Sequence, residues 1–176
     1  MCGIIGYVGR EKAAPILLDG LARMEYRGYD SAGVAVRSEE HGLQVKKSKG
    51  RLQVLSDMIH GGADLEGCLG IGHTRWATHG EPNDINAHPH VSENGAIALV
   101  HNGIIENYLE IKEHLQKLGV VFTSDTDSEV VAQLLEFHYN ECHSMLEAVG
   151  RCLRRIEGSY ALGIICADYP NALIAA

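Results

Sequence analysis

A chain of 176 residues, 45% hydrophobic and 22% charged, is long enough to bury a substantial core and ordinary in composition for a globular domain. Its net charge of -8 leaves no surplus of Lys and Arg to displace counterions, which excludes nucleic acid and anionic membrane as expected partners. No apolar run reaches the ~20 residues that a membrane span requires. Five cysteines (Cys2, Cys68, Cys142, Cys152 and Cys166) with no CxxC pair and no secretory signal point to a reducing, cytoplasmic compartment.

Residues 2–8 read as a buried first strand, and residues 13–26 as a helix with Leu17, Leu21 and Met24 on one face. Two strands are expected over residues 32–36 and 43–47. The basic stretch Lys46-Lys47-Ser48-Lys49 with Arg51 reads as a solvated strand end. A short helix over 51–59, a loop at Gly61-Gly62 and a strand over 69–72 follow. Residues 75–91 have no clean period and carry Gly80, Pro82, Asn83, Asn86 and Pro89. A loop of that length inside a compact domain is usually functional or disordered.

The second half is more regular. A strand over 96–101 precedes a helix marked by Ile104, Tyr108, Ile111, Leu115 and Leu118 and ended by Gly119. Residues 120–123 suit a brief strand. Thr126-Asp127-Ser128-Glu129 fits a capping box ahead of a helix with Val130, Val131, Leu134 and Leu135 inward. Ser144 and Glu147 repeat that signature before Leu146, Val149, Leu153 and Ile156. Strands are expected over 160–167 and from 172 onward. That last apolar run is cut without a polar tail, which reads as a domain excised from a longer protein. Many strands, interspersed helices and no βαβ rhythm predict layered α+β with largely antiparallel sheets.

Cys2 sits directly after the initiator Met, which is readily trimmed before a small residue. Trimming leaves one residue with both a thiol and a free α-amine of pKa about 8. Such an amine can take the thiol proton directly or through one water, uniting nucleophile and base. Seen alone, Cys2 fits a buried strand residue equally well. Ten histidines, with His88-Pro89-His90 near His73, His79 and His101, carry no HExxH or paired-CxxC frame; no metal is expected.

The motifs Cys2-Gly3-Ile4-Ile5-Gly6, Glu25-Tyr26-Arg27-Gly28-Tyr29-Asp30-Ser31-Ala32-Gly33 and His73-Thr74-Arg75-Trp76-Ala77-Thr78-His79-Gly80-Glu81-Pro82 occur in that order. Asn86-Ala87-His88-Pro89-His90, His101-Asn102-Gly103-Ile104-Ile105-Glu106-Asn107 and Thr126-Asp127-Ser128-Glu129 follow. Together they resemble the glutaminase domains of the glutamine–fructose-6-phosphate aminotransferase family, class II glutamine amidotransferases of the N-terminal-nucleophile hydrolase superfamily. The resemblance covers essentially residues 1–176 as one domain. It implies a four-layer αββα sandwich with two antiparallel sheets, and sugar-isomerase-type domains that lie downstream and are missing from these residues. It also implies glutamine and glutamate as ligands, fructose 6-phosphate bound only by the missing domains, no cofactor, and a homo-oligomeric full-length enzyme.

By the same resemblance Cys2 is the nucleophile, and the Asn102 amide with the Gly103 N–H forms the oxyanion hole. An Asn-Gly pair is otherwise the commonest hairpin turn. Arg75 grips the substrate α-carboxylate, where a planar fork suits bidentate pairing, although alone it reads as a surface arginine. Asp127 holds the substrate ammonium, although an acidic residue is favoured in any first helical turn. Trp76, Thr78 and His79 are implied to close over glutamine, with Gly80, Arg27, Tyr29 and His88 in supporting places. Cys68, Cys142, Cys152 and Cys166 read as packing residues. The alternatives are a different class II amidotransferase and a module that binds glutamine without turning it over.

Overall fold

The computed structural model describes residues 2–27, 30–76 and 81–176. Strand β1 (Gly3–Val8) leads into helix α1 (Ala13–Met24), then β2 (Ser31–Ser38), β3 (Gly42–Lys49), α2 (Leu52–Met58) and β4 (Leu69–Arg75). Strands β5 (His90–Val91) and β6 (Ile97–Ile105) follow. After them come α3 (Tyr108–Lys117), α4 (Asp127–Cys142), α5 (Met145–Arg155), β7 (Gly158–Cys166) and β8 (Leu173–Ala175).

Two four-stranded sheets result, ordered β1-β4-β2-β3 and β5-β6-β7-β8, with every pairing antiparallel. The period-2 alternation of side chains explains how they stack. Ala35, Leu69 and Ile71 of the first sheet meet Ala98, Val100 and Ile165 of the second in a buried apolar central layer. The opposite faces carry Ala32, Val34 and Val36, packed under α1 and α2, and Ile97, Leu99, Leu162 and Ile164, packed under the α3–α5 layer. Strands buried on both faces read as continuous apolar runs. Each fully buried Leu or Ile contributes roughly 1.5–3 kcal/mol. The architecture is the αββα sandwich expected from the sequence.

Helix α4 is buried along its whole first half, from Asp127 to Glu136. Thr126 caps it by accepting from the Glu129 N–H, as the capping box predicts. The Glu129 carboxylate, however, turns to the backbone N–H groups of Thr123 (2.9 Å) and Ser124 (2.6 Å) and to both hydroxyls. Burial pulls its pKa upward, but these donors to the ionised form outweigh burial and hold it below the ordinary value.

Several expectations need correction. Strand β6 runs on through Ile105, so Asn102-Gly103 lies inside a sheet, and the following helix starts only at Tyr108. Residues 120–123 form no strand; Val120 bonds back to Leu115, and Thr123 is held by Glu129. Leu118 and Leu146 are exposed, and α5 buries Met145, Ala148, Val149 and Cys152. The irregular segment starts only after Arg75, which ends β4. Cys152 and Cys166 are core residues whose thiols burial pushes up, to about 12 for Cys152. Cys68, in contrast, is exposed and Cys142 half-buried, so neither is a core packing residue.

Candidate active site

The site forms where four chain segments end together. Gly3 pairs with Thr74, so Cys2 and Arg75 lie side by side at one end of the first sheet. His101, Asn102 and Gly103 come from the distal half of β6, and Thr126, Asp127 and Ser128 from the start of α4. These segments, with Trp76, His88 and Ile104, line one cavity of about 230 Å³. Seven expected site residues therefore share one space: Cys2, Arg75, Trp76, His88, Asn102, Gly103 and Asp127.

The Cys2 thiol accepts a hydrogen bond from the Trp76 N–H at 3.1 Å. The thiol in turn faces the Trp76 carbonyl at 3.6 Å, so the backbone of Trp76 holds the sulfur from both its donor and its acceptor side. Trp76 itself is 54% exposed, so its indole is not part of the core. Asn102 Nδ2 donates to the Cys2 carbonyl at 3.3 Å, while its Oδ1 meets His73 Nε2 at 2.7 Å. Burial lowers the His73 pKa to about 4, so at neutral pH the ring is uncharged and donates from Nε2. That bond fixes the amide with its N–H groups toward the cysteine. Gly103 has φ +126°, and a Cβ there would run into the Ser159 carbonyl of the paired strand. Only glycine fits this contact.

Arg75 is 4% exposed, not the surface arginine its sequence context alone allows. Asp127 is 7% exposed. Its Oδ2 accepts the Ile105 N–H at 2.9 Å, and its Oδ1 accepts the Ser128 hydroxyl at 3.3 Å. His101 Nδ1 lies 2.8 Å from Ser128 Oγ and 3.9 Å from Asp127 Oδ1. With Ser128 donating to the carboxylate, His101 donates to Ser128. The cavity thus pairs a cation with an anion on walls near a thiol, a geometry suited to an amino acid's two charged groups.

His73, Ser128 and His101 were not singled out as site residues from the sequence; nothing local to each marks its partner. Arg27 has a described backbone at the end of a 3₁₀ turn (Glu25–Arg27). Its side chain, and Tyr29, Thr78, His79 and Gly80, lie outside the described residues.

In and beside the cavity wall, four buried histidine rings pack together: His88 stands 4.2 Å from His73, 4.8 Å from His90 and 6.4 Å from His101 between centroids. Burial lowers all four pKa values, those of His88 and His90 strongly. A lowered folded-state pKa means that the unfolded chain binds more protons. Stability is therefore fully present above pH 6.5 and lost as pH falls from there toward 4. His73 alone accounts for on the order of 3 kcal/mol. The urea midpoint is expected to drop steeply between pH 7 and pH 4.5; a flat profile would contradict neutral burial of these rings.

Two antiparallel sheets between helical layers define the αββα architecture of the N-terminal-nucleophile amidotransferases. This chain belongs to the glutamine amidotransferase domain family, whose model matches residues 41–175. It is 57% identical over its whole length to the glutamine–fructose-6-phosphate aminotransferase [isomerizing] of Caldanaerobacter subterraneus subsp. tengcongensis. It is 54% identical over 99% of its length to the enzyme of that name from Thermus thermophilus. The chain spans 28% of the length of each of these relatives. Among solved structures, glutamine phosphoribosylpyrophosphate amidotransferase from B. subtilis superposes with a TM-score of 0.80 at 26% identity, over 95% of this chain and 35% of that one. Among the described residues, no helix is long and apolar enough to cross a membrane.

Proposed function

We propose that residues 1–176 form a glutaminase domain that releases ammonia from glutamine for transfer to fructose 6-phosphate by other domains of a longer, homo-oligomeric cytoplasmic enzyme. The observation that carries this reading is the single cavity joining Cys2 to Asn102-Gly103 on one side and to Arg75 and Asp127 on the other. Relatives named for the fructose 6-phosphate reaction support the acceptor. Between the sugar enzyme and another class II amidotransferase, identity favours the former. Against a pure glutamine-binding module stands a thiol placed beside oriented amide donors, which binding alone does not need.

Removal of Met1 frees the Cys2 α-amine, which takes the thiol proton. The thiolate, supported by the Trp76 N–H, attacks the glutamine δ-carbonyl. The oxyanion that forms accepts from Asn102 Nδ2 and the Gly103 N–H. The α-ammonium then returns its proton to the departing nitrogen, the C–N bond breaks, and ammonia leaves a γ-glutamyl thioester. Water, deprotonated by the same amine, releases glutamate and restores the thiol. Arg75 and Asp127 hold the carboxylate and ammonium of the substrate throughout, while Trp76, Thr78 and His79 cover the bound glutamine and Arg27, Tyr29, Gly80 and His88 support that arrangement.

The direct test is glutamate production from glutamine by the purified chain, with fructose 6-phosphate added in a parallel assay. Glutamate should appear at the same rate in both, with no amino sugar in either; absence of glutamate would overturn the reading. Arg75→Lys replaces a planar fork by a point charge, and Asp127→Asn removes the ammonium partner. Each should raise KM for glutamine about 10–100-fold, since charge-assisted hydrogen bonds are worth roughly 1.5–3 kcal/mol. If both variants keep the parent KM, these two residues do not hold the substrate.

A further inference from the structure

Lys47 lies on β3 and is half-buried, with its ammonium turned onto the backbone of residues 85–89. Nζ lies 3.0 Å from the Ile85 carbonyl, 2.8 Å from that of Ala87 and 3.4 Å from that of Pro89. A lysine ammonium has three N–H bonds and no acceptor, so three convergent carbonyls match the cation one for one. A solvated strand end, as the sequence implied, would make no such contacts. Burial lowers its pKa to about 8, so it remains mostly charged at neutral pH.

The same segment is seated on β2 and β3 in two more ways. Gly33 leaves bare backbone where a Cβ would run into the His88 carbonyl and against Pro89. Asp84 Oδ1 accepts the Lys49 N–H at 2.6 Å. From this seat the segment reaches across to the start of α4. Asn86 Oδ1 accepts the Asp125 N–H at 3.0 Å, and His90 Nε2 meets Thr126 Oγ1 at 3.0 Å. Those contacts fall on the two residues immediately before Asp127. The His88 ring meanwhile forms part of the cavity wall.

We infer that Lys47 is a positioning residue for the amino-acid end of the substrate: it pins residues 85–89, and they in turn set His88 in the wall and the turn that presents Asp127. This rests on the glutaminase reading. Lys47 is absent from the cavity lining and touches neither Cys2 nor Asn102, so its loss weakens substrate grip and leaves the thiol chemistry in place.

The test compares the parent chain with Lys47→Met and Lys47→Arg in the glutaminase assay, with folding checked by thermal unfolding. Lys47→Met should raise KM for glutamine about tenfold with kcat within about twofold, the signature of lost uniform binding. Lys47→Arg, which keeps the charge, should recover part of that loss. If Lys47→Met does not fold, Lys47→Gln, which keeps two N–H donors, carries the same comparison. Trp76, the one tryptophan in the sequence, stands at the cavity and gives a second readout. In a Cys2→Ala background its fluorescence should report glutamine binding weakened by the same factor. An active parent whose folded Lys47 variant keeps its KM, or loses kcat alone, overturns the positioning role. An inactive parent instead overturns the glutaminase reading beneath it.

Discussion

Cys2→Ala, correctly trimmed at its N-terminus, is expected to fold as the parent does and to lose glutaminase activity by about 10⁴-fold or more, the scale seen when an enzyme loses its nucleophile. Cys2 is half-buried at the start of β1, and its side chain is not part of the three apolar clusters. Removing one sulfur there leaves the core intact, so unfolding is not an expected cause of the loss. The thiol also has no substitute in the cavity: Cys152 and Cys166 are buried with raised pKa values, and neither they nor Cys68 and Cys142 line it. Turnover undiminished in a verified Cys2→Ala sample would remove the mechanism entirely.

Asn102→Ala is expected to lower kcat about 10²–10³-fold with a much smaller change in KM, because an oxyanion donor acts chiefly in the transition state. The amide is held by His73 Nε2 on one side and gives a hydrogen to the Cys2 carbonyl on the other. Its truncation therefore also strands the neutral His73 donor in a buried place. Some loss of stability should accompany the loss of rate, typically 1–3 kcal/mol for one unsatisfied buried group. Steady-state kinetics together with urea unfolding separate the two effects. A variant that loses KM but keeps kcat would place Asn102 in substrate grip instead of oxyanion stabilisation.

Much of this site was legible before any coordinates. Cys2, Arg75, Asn102, Gly103 and Asp127 lie far apart in sequence yet share one cavity, as the motif set implies. The layered antiparallel fold was legible too, since apolar runs of strand length alternate irregularly with capped helices. Where the reading failed, the cause was non-local pairing. Ile104, Tyr108 and Ile111 have helical spacing, but Ile104 pairs with Ser159 across a ladder invisible in the local pattern. Leu146 follows a helix period by one phase and faces solvent, because Met145 takes the core position. Residues 120–123 look like a strand, but the Val120 N–H goes to the Leu115 carbonyl and Thr123 to the Glu129 carboxylate instead.

The charged and polar partners were the least legible. Lys47 sits in a basic stretch that composition assigns to water, and the carbonyls it meets are about forty positions away. His73 and Asn102 are separated by 29 positions, and only the packing of the two sheets against each other brings them within a hydrogen bond. The Trp76 N–H on the Cys2 sulfur is a backbone contact, and no side-chain pattern encodes it.

The central claim is that a free Cys2 amine and thiol together attack glutamine. Intact-mass measurement of the purified, active chain, before and after reaction with a glutamine-analogue electrophile, tests it most directly. The account predicts a mass without Met1 and a single adduct, mapped by peptide analysis to Cys2, with activity lost in proportion. A sample retaining Met1 should be folded, inactive and unlabelled, because an acylated nitrogen is an amide and cannot serve as base. Full turnover by a Met1-retaining chain, or an inactivating adduct on any other residue, would contradict the account.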